Sequence, residues 1–415
     1  MSQIPESPEL LPDDTIRLVK ARNPSLITQA QDGKRKISFS LLTPPSSQTY
    51  RSASSSSAQL VESRYIAVPI RLDSEQTFEY AGFTAAKAQE LYQAKIEREK
   101  LGVSIDIERW AIDYAMDACR SAQDASDNWI KAMRVAGLNE DIQQAMVDPI
   151  HDKIRYIQPL SYWIEEMMMT SFNSLFGLNT TVLVALGERQ APAHLRGGAD
   201  ADYDIPQMPG GHLAVFKSVD YQHCHKCIAE NGELNLFPLE SMGPTDFAQR
   251  GGMYFTHQLW VARHYSRLIN HMCPVADRRT VELHVPLAHF EHVKTWDVKG
   301  DDFKRLLFFS RNNLGYPKDI TRQLAKHGVV RGPIANTHSK TFAKMSDWNE
   351  VTDAHMLQGK DEEFGGTKWA KQYVWISREA IQKLQVDCVG KAYMRLPEKK
   401  FKLIPEPWKD VSSRS

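Results

Sequence analysis

The sequence predicts an α+β protein, in which a disordered arm leads into a mostly helical region and then a β-rich domain with flanking helices. Three observations carry this. Residues 84–176 repeat apolar positions at intervals of three and four with few breakers. Residues 188–211 interrupt the chain with proline, glycine and acid, and after them short β-favouring runs alternate with helical ones. A length of 415 residues implies two or three domains, and 42% hydrophobic content suffices for at least one core. Lysine plus arginine equals aspartate plus glutamate at 51 each, so overall charge favours neither a nucleic-acid binder nor a membrane-surface protein.

Residues 1–60 are rich in serine, proline, glutamine and charge, a composition that buries too little apolar surface to offset its ordering entropy. They are expected to form a disordered arm, and 406–415 a disordered tail. No apolar leader or membrane-length run is present, and the five cysteines are few and mostly isolated. An intracellular protein, cytoplasmic or nuclear, is the expectation.

Residues 61–190 read as a helical domain. The run from Tyr65 is strand-like, with Pro69 excluding a central position. Thr84 caps a helix with Ala88, Leu91, Tyr92 and Ile96 on one side and a stop at Gly102. A second helix follows Ser104, with Asp106 and Glu108 at its positive end and Trp110, Ala111 and Tyr114 in its stripe. It runs towards Gly137 with a break near Ser126. A third occupies Pro159 to Phe176, where helical spacing makes Met167, Met168 and Met169 core residues.

After the linker at 191–211, the domain at 212–405 opens with a strand from His212 to Val219. Asp246 to Asn270 combines the glycine pair Gly251 and Gly252, a strand ending at Thr256 and an amphipathic helix. Tyr254 and Phe255 point to opposite faces of that strand, one to the core and one to the open side, where a flat ligand can stack. Arg279 to Pro286 alternates like a half-buried strand, Asp301 or Asp302 caps a helix, and Gly328 begins a short strand. The run to Ile376 is a strand, followed by Ser377 as cap of a helix to Leu384.

The segments D-F-A-Q-R-G-G-M-Y-F-T, G-V-V-R-G-P-I-A-N and K-Q-Y-V-W-I-S-R-E-A-I-Q-K-L, in that order, resemble a branch of the ADP-ribosyltransferase-like superfamily, a domain family of unknown function. The resemblance covers roughly residues 210–390. It implies a split β-sandwich with a cleft for NAD, used as a substrate in ADP-ribose transfer to an unknown macromolecular acceptor or in hydrolysis. It places Lys217, Tyr254 and Gln372 at the three positions that converge on the nicotinamide ribose. Ser218, Gly251, Gly252, Phe255 and Thr256 flank them as cofactor-binding candidates. The chemistry asks for such groups, because loss of nicotinamide leaves an oxocarbenium-like cation that needs an aromatic face, ribose hydrogen bonds and a nearby carboxylate. Lys217 stands where the family usually has histidine, and Gln372 where active transferases have glutamate. A catalytically inactive binding module of the same fold is the alternative.

Two further features offer chemistry. Cys224 and Cys227 have the spacing of a zinc half-site or a redox dithiol, with His223 and His225, or His271 and Cys273, as further ligands; packing cysteines are the plain alternative. Residues 303–344 carry nine basic side chains against Asp319 alone, a patch for pyrophosphate or nucleic acid, or a solvated surface.

Overall fold

Side-chain caps start several helices, at Thr84 as the sequence predicts and also at Asn128 and Asn139, two positions not predicted from the sequence. Thr84 accepts from the Lys87 N–H, Asn128 from Lys131 and Asn139 from Ile142. The computed structural model describes residues 8–42, 65–125, 128–189, 205–221, 227–229, 232–241, 245–360 and 367–395. The helices that bear on the site and core include α1 (Asp13–Arg22), α2 (Ala85–Lys100), α3 (Ile107–Ala125), α4 (Trp129–Val135), α5 (Glu140–Val147), α6 (Leu160–Phe176), α7 (Leu178–Leu186), α8 (Leu259–Met272), α9 (Gly300–Arg311) and α10 (Arg378–Asp387). Ser126, where a break was expected, lies outside the described residues; Asn128 is extended and caps α4. Helix α9 begins on Lys299 rather than an aspartate, and Asp301 and Asp302 lie in its first turn instead.

Eleven strands are described: β1 (Lys34–Ser38), β2 (Tyr65–Pro69), β3 (His212–Asp220), β4 (Met253–Thr256), β5 (Arg278–Pro286), β6 (Thr295–Asp297), β7 (Val329–Pro333), β8 (Gln358–Lys360), β9 (Thr367–Trp369), β10 (Lys371–Trp375) and β11 (Ala392–Arg395). Seven of them form one mixed sheet in the order β11-β5-β3-β4-β10-β7-β6, antiparallel throughout except between β6 and β7. Its two halves meet narrowly. Strand β3 pairs with β5 over nine residues, whereas β3 and β4 share the single pair Phe216 and Thr256. The α+β class therefore holds.

Two expectations are corrected. Residues 8–42 of the supposed arm are folded: β1 pairs with β2, and Ile16, Val19, Ile37 and Leu41 bury with Leu178 and Val182 of α7. Those apolar residues are too scattered to stand out in composition, and their partners lie far along the chain. Residues 43–64 and 406–415 lie outside the described set. Strand β5 is buried on both faces rather than one, because it sits between β3 and β11 with α8 packed against it.

The helical region does not own a separate core. Phe78, Met133, Trp163 and Phe172 share a continuous apolar cluster with Trp260, Leu268 and Ile269 of α8 and with Ile334, Leu357 and Ala370 of the sheet half. Met167 and Met168 are buried in it, as their spacing predicted. Among the described residues no single helix is long and apolar enough to cross a membrane. One bent pair, α6 with α7 at 56°, passes by length and composition, and the apolar side chains of α6 are spent on this core.

Buried histidines tie elements together. Trp375 Nε1 donates to His289 Nε2 at 2.9 Å, which fixes the neutral ring with its proton on Nδ1, facing Asp387 Oδ2 at 2.7 Å. His151 lies 3.0 Å from His271 of α8, and burial, reinforced by His271, pulls its pKa down to about 4.

Two predictions follow from this packing. Phe172→Ala removes a fully buried ring from the shared core and costs about 3–5 kcal/mol, read as a drop in the urea midpoint. The depressed folded-state pKa of His151 makes the unfolded chain protonate first as pH drops below about 6.5, so stability falls from there towards pH 4. His151→Gln flattens that part of a melting-temperature profile; an unchanged slope would show that His151 is not its source.

Candidate functional site

Strands β3, β4 and β10 bring Lys217, Tyr254 and Gln372 to the lining of one cavity of about 80 Å³, at the narrow joint of the sheet. Its other walls come from the segment Ile157–Gln158, from α6 through Tyr162, Trp163 and Glu166, and from α8 through Tyr265. The helical region, in which the sequence showed no chemistry, covers the site.

Gln372 is central to the sheet, paired with Thr256 on one side and Gly332 on the other, and its side chain is 6% exposed. Its amide nitrogen donates to Asp246 Oδ2 at 2.7 Å and to the Pro333 carbonyl at 2.9 Å. Both neighbours only accept, so the amide has one orientation, with Oε1 left as a free acceptor among the described residues. Asp246 is 3% exposed and also receives the Ala335 N–H at 2.9 Å and Arg311 Nε at 2.7 Å. Arg311 in turn donates to the Ile157 carbonyl of the helical region. Asp246 thus joins β10, the turn after β7, α9 and the covering segment.

The Tyr254 ring packs in an apolar cluster with Phe247 and Phe303, and its hydroxyl is engaged. Thr245 Oγ1 gives its proton to the Ala248 carbonyl at 2.9 Å, so Tyr254 donates to Thr245 and accepts from the Phe247 N–H at 3.3 Å. Burial pushes the phenol pKa up, so Tyr254 stays neutral. Phe255, on the opposite face of β4, is buried edge-on against Trp375, in keeping with the expected alternation.

Lys217 Nζ reaches Ser241 Oγ at 3.3 Å. The side chain keeps some accessible surface but stands in a confined cleft, and burial pulls its pKa down to about 8, with Glu166 opposing the shift. Ser218 Oγ is 2.8 Å from Ser266 Oγ and accepts from Arg278 Nη2 at 3.2 Å, while Arg278 Nη1 pairs with Glu166 at 3.1 Å. Thr256 donates to the Lys371 carbonyl at 2.8 Å. Ser218, Phe255 and Thr256 all border the cavity.

The glycine pair does not. Gly251 adopts φ +102°, and Gly252 bridges to Ser241, where an added Cβ would lie 3.0 Å from Val374 Cγ1. The pair makes a close turn that sets Ser241 beside Lys217, and neither glycine lines the cavity. Sequence reasoning missed Asp246, Glu166, Arg278, Arg311 and Tyr265. The acid opening the D-F run was the available signal for Asp246; for Glu166, which arrives from a distant helix, there was none.

The metal reading loses its described ligand. Cys227 is fully buried in the sheet core and burial pushes its thiol up to about 12, which suits packing rather than ligation. His223, Cys224 and His225 lie outside the described residues. Cys273 is buried against Ser171 and His271 faces His151, so those two do not form a ligand pair. Among the described residues no group of three or more histidine, cysteine or acidic side chains is placed to hold a metal ion. The basic run is partly internal: Arg305 pairs with Asp319, Arg311 with Asp246 and Arg331 with Asp297.

With this geometry in hand, comparison with known proteins adds no relative: no family model, no curated protein and no solved structure matches the chain.

The Asp246 contacts make two expectations measurable. Asp246→Ala leaves Arg311 buried without its partner and costs about 3–5 kcal/mol of stability. Gln372→Glu sets two carboxylates in contact, raising the folded-state pKa of the new acid above its unfolded value of about 4.3. The variant is therefore destabilised at pH 7 and regains stability relative to the parent as pH falls towards 5. A penalty in melting temperature that does not change with pH would rule out the contact.

Proposed function

We propose that this chain is an NAD-binding protein of the ADP-ribosyltransferase type, and that it cleaves the bond between nicotinamide and ribose slowly, passing ADP-ribose to water or to a macromolecular acceptor. One observation carries the reading: Lys217, Tyr254 and Gln372, brought from three separate strands, border one cavity at the joint of the sheet. The narrow β3–β4 pairing is the kind of opening that a split β-sandwich with a central cleft requires.

In this reading Gln372 Oε1 accepts from a ribose hydroxyl, since its nitrogen is already committed to Asp246 and Pro333. Tyr254 offers a neutral ring, and Lys217 contacts ribose or phosphate. Electrostatics argue for slow turnover. The negative charge of Asp246 is compensated by Arg311, and Lys217 adds positive charge where an oxocarbenium would form. The cavity, about 80 Å³ by volume, is well below the roughly 300 Å³ or more of ordinary ligand sites, so NAD enters only if α6 moves away from the sheet. A second reading, a binding module without catalysis, is favoured by the same Asp246–Gln372 bond, which replaces a free carboxylate with a held amide.

Incubation of the full chain with NAD, with free nicotinamide followed over time, tests the proposal. Slow release is expected, reduced at least about tenfold in Gln372→Ala, which removes one transition-state hydrogen bond. NAD binding by calorimetry without release selects the module; neither binding nor release sinks both readings.

A further inference from the structure

The charges lining the cavity do not balance. Among the described residues its cations are Lys217, Arg278 and Arg311, and its carboxylates are Glu166 and Asp246. Arg278 is paired with Glu166 and Arg311 with Asp246, which leaves Lys217 with one neutral partner, the Ser241 hydroxyl. A cation confined without a counter-charge either gives up its proton or takes an anion. The cavity also holds two unengaged donors. Tyr162 of α6 and Tyr265 of α8 border it, and neither hydroxyl has a hydrogen-bond partner among the described residues. Burial raises the pKa of both phenols, so each keeps its proton to donate.

We propose that the Lys217 end of the cavity is a site for a small monoanion, a carboxylate group, held by the Lys217 ammonium and the Tyr162 and Tyr265 hydroxyls. The count of charges selects a monoanion, because a doubly charged phosphate would leave the cavity net negative. The volume of about 80 Å³ admits a group of a few heavy atoms in place of several waters. The site stands on this charge count and does not depend on the NAD reading.

Binding is coupled to a proton. In this cleft the Lys217 pKa is about 8, set by burial and Arg278 against Glu166. An anion beside the ammonium raises it, so the protein takes up a proton on binding at pH 8 and above and none at pH 6. The remaining charged pair of the cavity, Asp246 with Arg311, is internally neutralised and changes little.

Acetate and acetamide, alike in shape and different in charge, test the site on the full chain at matched ionic strength. Acetate is expected to raise the melting temperature and acetamide is not, and acetate heats at pH 8.5 should vary with the ionisation enthalpy of the buffer. Lys217→Met, checked for folding by circular dichroism, weakens acetate binding at least about tenfold, and Lys217→Arg restores it without the proton uptake. Equal stabilisation by acetamide, or an acetate response unchanged in Lys217→Met, overturns the proposal. Nicotinate and nicotinamide separate it from the NAD reading. Preference for nicotinamide overturns the anion site and leaves NAD standing, whereas an acetate response with no response to either pyridine does the reverse.

Discussion

The carboxylate of Asp246 is the contact on which the rest of the site depends. It accepts from Gln372 on the interior strand β10, from the backbone after β7 and from Arg311 on α9, and Arg311 reaches on to the helical region through the Ile157 carbonyl. Four separate parts of the chain are thereby fixed around one buried charge. Such a charge is tolerated because three donors reach its two oxygens and a cation lies against it. The same contact decides the character of residue 372. An amide satisfies Asp246 by donating to it, and a carboxylate in that place would repel it, so glutamine is the residue this arrangement needs.

A second constraint comes from the way the cavity is closed. Glu166 and Tyr162 arrive from α6, which also supplies Trp163 and Phe172 to the core shared with α8 and the sheet. Covering the site and completing the core are therefore the work of one helix. Its Glu166 pairs with Arg278 and its apolar side chains fill the shared core, so any motion of this helix that opens the cavity is resisted by packing as well as by an ion pair.

Much of the architecture was legible because it is local. The caps at Thr84 and Ser377, the stripe through Trp110 and Tyr114 and the strand around Tyr254 are each encoded within a few neighbouring residues. The folded character of residues 8–42 was hidden for the opposite reason. Strand β1 finds its partner β2 only after an intervening segment of more than twenty-five residues, and the helix before it packs on α7 about 160 residues away. The glycine pair shows a third case. Its turn was predicted correctly, yet the turn serves to place Ser241 beside Lys217 rather than to line the cavity.

By itself the sequence determined the α+β class, several helix starts and the alternation of β4, because periodicity and caps act over a few residues. Only the tertiary structure decided which groups meet at the site. Asp246 binds a glutamine 126 positions away, Glu166 binds an arginine 112 positions away, and Lys217 has no ion-pair partner of its own among the described residues. Those pairings depend on how helices and strands distant in sequence pack together, and the strength of a buried charge depends on what stands within a few ångströms of it. No local pattern carries that information.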